Sequence, residues 1–373
     1  MRRSSLAIVL MLLVLPSGVV LGEATRTLRV SLTGDAAAPF AIENLAGAMT
    51  VLPSDGEGVT AVATIHAEDD TLAAMVRFEQ VPDREGVPTL RVIYPLDRER
   101  TLRYPLGTKA EGGSEEGGRH RHTHWFSIFG WDSSEMTYDG HRVRVSADRG
   151  ALLYADVEVR VPRRALDATF RNLMGTLQAE GIEGHILLDT ARGDVTARRL
   201  KGEVKADTGS GDVHGSDLQG SFVCDTGSGA CEVTGFVGTE LSCDTGSGEV
   251  RIRDVKAERL IADTGSGRIR ARAVDVEEFR GDTGSGGIEA ELIGPRLRRI
   301  RADTGSGEVT LRLPADATFE ADADQGSGGL RCGFHDAEKV TSDHKVVGFR
   351  RGDRKVRISI DTGSGDATIE PVS

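Results

Sequence analysis

The sequence predicts an all-β fold, a parallel β-helix (single-stranded β-solenoid) with coils of 18–21 residues that turn at the pentapeptide Asp-Thr-Gly-Ser-Gly. Three observations lead to this prediction. The pentapeptide recurs at a nearly constant interval, apolar and polar residues alternate on both sides of it, and the 373 residues include 47 glycines but only 5% aromatic residues. That composition suits a thin, repetitive β core better than a large globular one.

The repeat is defined by intact copies of the pentapeptide that begin at Asp207, Asp225, Asp244, Asp263, Asp282, Asp303 and Asp361. A near copy begins at Asp324 and a degenerate copy at Asp189. From Asp189 to Asp324 successive copies are 18–21 residues apart, and a fixed short period predicts a repeat architecture. The last step is 37 residues, which we interpret as two coils with one eroded copy. Stacked coils would pair through parallel strands about 4.8 Å apart.

Alternation of apolar and polar residues predicts which side chains face the core. Three residues before the aspartate, the predicted inward residues are Val204, Phe222, Leu241, Leu260, Phe279 and Ile300. Six residues after it they are Val213, Cys231, Val250, Ile269, Ile288 and Val309. Eleven residues after it, a third short side is predicted from Leu218, Phe236, Val255, Val274 and Ile293.

The pentapeptide must contain a bend, because the alternation changes phase across it. We expect its two glycines to adopt positive φ and its Asp carboxylate to accept hydrogen bonds from the backbone N–H groups that follow. Stacking then places the carboxylates in one ladder, where neighbours repel. This ladder contains Asp207, Asp225, Asp244, Asp263, Asp282 and Asp303.

Two other functions are alternatives for the pentapeptide. Bound calcium would relieve the repulsion between carboxylates, although the nonapeptide calcium pattern is absent from the sequence. The motif also marks the catalytic aspartates of pepsin-like proteases. Those enzymes need two copies that face each other, and regular spacing predicts a row instead.

The chain divides into four predicted regions. Residues 1–22 place Arg2 and Arg3 before an apolar run and are predicted to be a secretory signal peptide, so we expect export to the periplasm, cell surface or exterior. Residues 23–106 predict irregular first coils or a small β region, 107–140 a flexible insert, and 141–373 the solenoid. After the signal peptide no stretch is apolar enough to predict a transmembrane helix.

The insert contains two candidate sites. In an extended chain His120, His122 and His124 share one face, which suits zinc, copper or nickel. We favour a solvated hinge, because no nearby cysteine completes a metal set. Trp125 and Trp131 either pack on the solenoid as a plug or form a contact surface for a glycan or a protein partner.

Four outward arginines are predicted to form a stripe across two coils: Arg251, Arg253, Arg270 and Arg272. With Glu289 and Glu291 they would form a cross-strand salt-bridge ladder on a solvated face. The alternative is a binding site for an acidic polysaccharide. Nucleic acid is not an expected partner, because 58 acidic residues outnumber 46 basic ones and the net charge is −12.

Four cysteines are compatible with an oxidising compartment. Cys224 and Cys243 hold the same position in successive coils, and we predict small buried thiols there rather than a disulfide. Directly paired parallel strands suit a disulfide poorly. The sequence does not predict the state of Cys231 or Cys332.

The sequence resembles a family of secreted bacterial β-solenoid proteins that are named putative adhesins and have no known function. The resemblance rests on residues 40–44 and 47–51, on the lead-in at 157–162, on the Gly-Ser-Gly-x-Val coils and on the closing residues 364–369. It implies a solenoid with a surface role and offers no catalytic residues to transfer.

We therefore expect a non-enzymatic exported scaffold without a cofactor, an adhesin-like surface or envelope binding protein whose partners are surface glycans or envelope proteins. The alternatives are a lyase-like polysaccharide-active enzyme on a β-helix and a calcium- or metal-binding envelope protein. Enzymes on solenoids usually build a cleft from long loops, whereas coils 189–313 are nearly free of loops. This difference favours the scaffold.

Overall fold

The computed structural model describes residues 7–9, 23–33, 38–82, 86–105 and 133–372. The described strands form one hydrogen-bonded system with a single short helix, so the all-β prediction is confirmed. No helix in the described ranges has both the length and the apolar character needed to span a bilayer.

The amino-terminal part contains the elements β1 (Ala7–Val9), β2 (Ala24–Thr33), β3 (Phe40–Ala46), β4 (Met49–Ser54), β5 (Val59–Ala67), α1 (Asp70–Met75), β6 (Arg77–Pro82), β7 (Pro88–Ile93), β8 (Thr101–Arg103), β9 (Ser133–Tyr138), β10 (His141–Ser146) and β11 (Ala151–Pro162).

The regular coils contain β12 (Leu166–Met174), β13 (Leu177–Glu180), β14 (Glu183–Thr190), β15 (Val195–Arg198), β16 (Lys201–Thr208), β17 (Val213–Thr226), β18 (Cys231–Thr245), β19 (Val250–Lys256), β20 (Arg259–Thr264), β21 (Ile269–Asp275), β22 (Glu278–Thr283), β23 (Ile288–Leu292), β24 (Arg299–Thr304) and β25 (Val309–Leu313). The carboxy-terminal part contains β26 (Phe319–Gln325), β27 (Leu330–Cys332), β28 (Glu338–Ser342), β29 (Lys345–Arg351), β30 (Val356–Thr362) and β31 (Ala367–Pro371).

Successive coils stack through parallel strands that form two walls. The first wall consists of strands that end in the Asp-Thr of the pentapeptide, such as β20, β22 and β24. The second wall consists of strands that follow the pentapeptide, such as β19, β21 and β23. In the first wall the aspartates are register partners from Asp189 through Asp303. Equivalent residues of neighbouring coils therefore lie side by side.

The inward residues predicted from alternation are buried on both walls, which confirms those assignments. Their burial against the coils above and below supplies the main stabilisation, since a large apolar side chain gains about 1.5–3 kcal/mol when it leaves water. One residue of the third side was predicted wrongly: the Ile293 side chain is 45% exposed. Its coil has 21 residues, and Leu292 takes the inward place beside Val274.

In each coil that contains an intact pentapeptide, the chain bends directly after the Asp-Thr, and we call this bend the pentapeptide corner. Its threonine is almost fully buried in every intact copy. The threonine hydroxyl donates to a glycine carbonyl of the neighbouring coil at 2.8–3.4 Å. In all intact copies after the first, it also accepts from the N–H of its own last glycine. The Asp carboxylate was expected to accept hydrogen bonds from the backbone of the turn, and this expectation was wrong. The threonine hydroxyl makes the hydrogen bonds of the turn, and the aspartates lie on the outer side.

The pentapeptide glycines are required by close stacking. A Cβ built on Gly267 would lie 1.7 Å from the carbonyl oxygen of Gly248, and one on Gly265 would lie 2.3 Å from that of Gly246. Among the glycines of the intact copies only Gly211 has a positive φ. The expected reason for these glycines, a positive φ, was therefore wrong, and contact with the adjacent coil replaces it.

A second corner lies ten residues after the aspartate, and we call it the left-handed corner. Its residue has φ between 51° and 73° in five successive coils, namely Arg199, Asp217, Gly235, Asp254 and Ala273. Side chains other than glycine rarely adopt this conformation. Sequence patterning did not identify this corner, because its residue types differ from coil to coil.

The last coils do not stack in chain order. β30 lies between β24 and β26, so that Asp361 is the register partner of both Asp303 and Asp324. β31 lies between β25 and β27 in the same way. The 37-residue step is therefore not two consecutive coils with an eroded copy. It contains the hairpin β28–β29, whose second strand pairs antiparallel with β26 at the outer edge.

The amino-terminal strands continue the same sheet. β3 pairs with β12 and β4 with β13, so residues 40–54 form the coil next to residues 166–180. The buried Glu43 carboxylate accepts hydrogen bonds from Arg91 at 2.7 Å and Arg171 at 2.8 Å. These two arginines lie on β7 and β12, so the paired charge links three strands.

Cys224 forms a disulfide with Cys231, which corrects the prediction of a free thiol at Cys224. The bond joins the two walls within one coil instead of joining two coils. Cys243 is a buried free thiol, as predicted, and burial raises its pKa. Cys332 is also free and is half-buried.

Candidate functional site

The outward side of the second wall carries the strongest concentration of charged groups that the sequence singled out. On β19 the apolar Val250 and Ile252 point inward, so Arg251 and Arg253 point outward, because side chains alternate along a strand. The same pattern on β21 turns Arg270 and Arg272 outward. We call this surface the arginine face.

The register brings the four arginines together. Arg251 is the partner of Arg270, and Arg253 is the partner of Arg272. Arg270 is in turn the partner of Glu289 on β23. Glu291 is displaced by a bulge in β21 and pairs in register with Arg312 instead.

Ion pairs run along the face from one coil to the next. Arg251 contacts Glu232 and lies 2.5 Å from Glu249, which also lies 2.5 Å from Arg270. The Glu289 carboxylate lies 2.5 Å from the Arg312 guanidinium and 3.8 Å from that of Arg272. A ladder of ion pairs therefore crosses these coils, but its members differ from the expected ones. Glu232, Glu249 and Arg312 take part in it. Neither Arg253 nor Glu291 forms an ion pair in the part of the chain that the structure describes.

The electrostatic centre of the ladder is Glu289. The hydrogen bond from Arg312, together with the positive charges of Arg312, Arg272 and Arg270, holds the pKa of Glu289 below its ordinary value, against the opposing effect of burial. This carboxylate is ionised at neutral pH and keeps the surrounding guanidinium groups in place.

Among the arginines on β19 and β21 and directly before β21, Arg253 and Arg268 lack an ion-pair partner in the described ranges. Each borders an open depression. One, of about 450 Å³, is lined by Thr234, Arg253 and their neighbours. The other, of about 800 Å³, is lined by Arg268, Gly287 and their neighbours. Its rim carries the pentapeptide serines Ser266, Ser285 and Ser306.

The aspartate ladder lies on a different edge and is only partly neutralised. Lys205 lies 2.7 Å from Asp207 and 3.5 Å from Asp225. Asp244 has no such cation in the described structure, and burial together with the charge of Asp225 raises its pKa. The pKa of Asp263 is raised by burial and by the charges of Asp282 and Asp244.

Metal-ligating groups converge at one place in the described structure, where the sulfur atoms of Cys224, Cys231 and Cys243 lie within 4.8 Å of one another. Two of these sulfurs form the disulfide, which leaves one thiol. The ladder aspartates do not form such a group in the described ranges. The candidates His120, His122, His124, Trp125 and Trp131 lie outside the described residues.

Comparisons with known proteins identify the family. No curated protein matches the sequence significantly. One solved structure that matches is described as a putative cell adhesion protein from Clostridium sporogenes, with 8% identity, a TM-score of 0.19, and coverage of 93% of this chain and 100% of the other. Another is described as a putative lipid binding protein from Parabacteroides distasonis, with 13% identity, a TM-score of 0.38, and coverage of 93% and 97%.

Both TM-scores are too low to support a conclusion about this chain. The family model of the Toastrack DUF4097 domain, whose function is unknown, matches residues 155–370. That range is more than half of the 373 residues and includes every intact pentapeptide. The chain therefore belongs to the Toastrack DUF4097 family.

Proposed function

We propose that the protein is an exported, non-enzymatic scaffold that binds anionic surface glycans along the arginine face. In this proposal the solenoid is a parallel β-helix that turns at the pentapeptides and acts as a rigid support. The observation that carries the proposal is the register of the second wall, which places Arg251 beside Arg270 and Arg253 beside Arg272. A linear polymer with regularly spaced acidic groups matches such a row.

The ion pairs on the face support binding. They lie at the surface with their side chains exposed or half-buried, and surface pairs contribute only about 0–1 kcal/mol each. A carboxylate or sulfate of a glycan can therefore replace a glutamate partner at small cost. Arg253 and Arg268 need no such exchange, because neither has an ion-pair partner in the described structure.

Repetition supplies the affinity. A single exposed arginine binds an anion weakly, but a polymer that contacts one coil is held near the next, so each further contact is effectively intramolecular. The hydroxyls of Ser266, Ser285 and Ser306 at the adjoining depression add hydrogen-bond donors and acceptors that suit sugar hydroxyls.

Binding of the purified protein to polysaccharides tests this proposal. We expect binding to polymers rich in uronic acid or sulfate, little binding to neutral polymers of similar length, and weakening by salt, because the contacts are ionic. Replacing Arg251, Arg253, Arg270 and Arg272 with alanine should weaken binding by at least about tenfold, which corresponds to ~1.4 kcal/mol.

A matched control removes four arginines from the first wall: Arg259, Arg280, Arg299 and Arg301. The control has the same net charge as the test variant, so it should keep its binding if the arginine face is the site. Equal losses in the two variants, or unchanged binding in the test variant, would overturn the proposal. Analysis of the incubated polysaccharides for cleavage products tests the alternative of a lyase-like enzyme in the same experiment.

A further inference from the structure

The carboxy-terminal coil occupies a slot between two coils that precede it in the chain. β30 pairs in parallel with β24 on one side and with β26 on the other. β31 does the same between β25 and β27. Removing residues 356–371 would therefore leave two facing rows of unpaired backbone groups, one on each neighbouring coil.

The slot is also apolar on its inner side. The buried side chains that fill it from β30 are Val356, Ile358 and Ile360, and those from β31 are Ala367 and Ile369. Their alternation with polar residues matches the alternation of the coils on both sides. Any segment that fills the slot must repeat this pattern, and a second copy of the chain carries an identical one.

The connection to this segment is short and strained. Phe319 of β26 pairs with Arg351 on one side and Val356 on the other, so residues 352–355 must cross over the end of β26. Gly352 has φ 57° and Arg354 has φ 56°. The second value is unfavourable for a residue with a side chain, and short strained connections favour exchange of the segment that follows them.

We propose that the carboxy-terminal coil can be exchanged between two copies of the protein, so that residues 356–371 of each copy fill the slot of the other. The buried contacts and the strand pairs are then the same as in the monomer, while the connection at 352–355 extends and no longer crosses β26. At low concentration a chain fills its own slot, because the tethered segment is locally concentrated. At high concentration during folding, exchange produces a symmetric dimer.

Two reporter variants detect the exchange: Ser306→Cys in one chain and Ser364→Cys in another. The register of Asp303 with Asp361 places these serines at the same position of neighbouring coils. Each chain also carries Cys332→Ser, which leaves only the three buried cysteines. When the two variants are unfolded together and refolded at high concentration under oxidising conditions, we expect a disulfide-linked dimer. Folded monomers mixed without unfolding should give little of it.

A shortened connection sharpens the test. Deleting residues 352–354 prevents the chain from crossing β26, so we expect the apparent mass in solution to double. The matched control deletes residues 342–344 at the tip of the hairpin β28–β29, where Asp343 and His344 also have positive φ. That control should stay monomeric. The proposal is overturned if the co-refolded reporters give no linked dimer, or if the shortened chain folds as a monomer. Should the shortened chain fail to fold, the reporters alone decide.

Discussion

The two corners of a coil are built in different ways. At the pentapeptide corner the last glycine lies against a carbonyl of the adjacent coil, and the threonine hydroxyl bonds across the same contact. At the left-handed corner the chain needs only a positive φ, and glycine, arginine, aspartate and alanine all occupy it. This difference shows that close contact between coils allows only one residue type at a position. A required backbone conformation alone permits several residue types, although some of them adopt it at an energetic cost.

The largest effect is expected from breaking the contact at the pentapeptide corner. Gly267→Ala places a Cβ 1.7 Å from the Gly248 carbonyl oxygen, and neither backbone can move away without disturbing the register. We expect a loss of about 3 kcal/mol in the free energy of unfolding. The matched control is Gly329→Ala, where the nearest atom would be 3.6 Å away. Chemical denaturation should show little change for the control, and similar losses in both variants would contradict close stacking.

The next effect concerns the threonine hydroxyl. Thr264 donates to the Gly248 carbonyl at 2.9 Å and accepts from the Gly267 N–H at 3.0 Å. Thr264→Val keeps the shape but leaves a buried donor and a buried acceptor without this partner, so we expect a loss of about 2 kcal/mol. Thr234→Val, on the exposed side of β18, should change stability by less than about 0.5 kcal/mol. Equal decreases in the denaturation midpoints of the two variants would contradict the stabilising role of the Thr264 hydroxyl.

At the left-handed corner, a substitution should raise the stability of the protein instead of lowering it. Ala273 has φ 52°, so Ala273→Gly relieves an unfavourable conformation and should raise stability by about 0.5–1 kcal/mol. The nearby Ala271 is a buried strand residue, and Ala271→Gly should lower stability by about 0.5–1 kcal/mol. Thermal unfolding measures both. A loss in the Ala273 variant would show that its side chain, and not its backbone, determines this corner.

The smallest effect concerns charge beside the pentapeptide corner. Burial and the charges of Asp282 and Asp244 raise the pKa of Asp263 in the folded protein, so ionised Asp263 is unfavourable there. The penalty is fully present above the folded pKa and disappears as the pH falls towards the unfolded pKa. Asp263→Asn should therefore stabilise the protein at neutral pH, by less than about 1 kcal/mol, and have no such effect in acid.

Asp207 provides the control for that prediction. It lies 2.7 Å from Lys205, so Asp207→Asn removes a favourable pair and should not stabilise. Thermal unfolding of the two variants from neutral to acidic pH separates these expectations. A stabilisation by Asp207→Asn as large as that by Asp263→Asn would mean that Lys205 does not neutralise its end of the ladder.

Local repetition made most of the coil predictable. Residues such as Phe279 and Val250 could be assigned to the core because alternation and burial follow the same period of two. Ile293 was assigned wrongly because its longer coil shifts the inward place to Leu292. The Cys224–Cys231 bond was not predicted, because the sequence period relates equivalent positions in successive coils, whereas this bond joins the two walls of one coil.

The order of the terminal coils could not be predicted from spacing. Neighbouring coils are nearly equivalent, so the sequence period does not distinguish a coil that follows in the chain from one that inserts later. One signal was present: the copy at Asp324 has Gln325 where the others have threonine. Its amide donates to the Val346 carbonyl of β29, so the residue that differs marks the coil that contacts the hairpin.

The arginine face was predictable in its placement, because the register follows from the period. Its ion-pair partners were only partly predictable. Glu289 was expected, but Glu249 and Arg312 lie at other positions of their coils and required the structure. The open depression beside Gly287 was not predicted, because it depends on how side chains of several coils pack around it.

A pair of distances tests the stacking of the pentapeptides most directly. Spin labels at Ser210 and Ser364 should be about 29 Å apart, six coil spacings, because the coil of Asp361 lies next to that of Asp303. Labels at Ser210 and Ser327 should be about 34 Å apart, seven spacings, although Ser327 comes earlier in the chain. A longer distance to Ser327 than to Ser364 is the predicted result, and the reverse order would contradict the account.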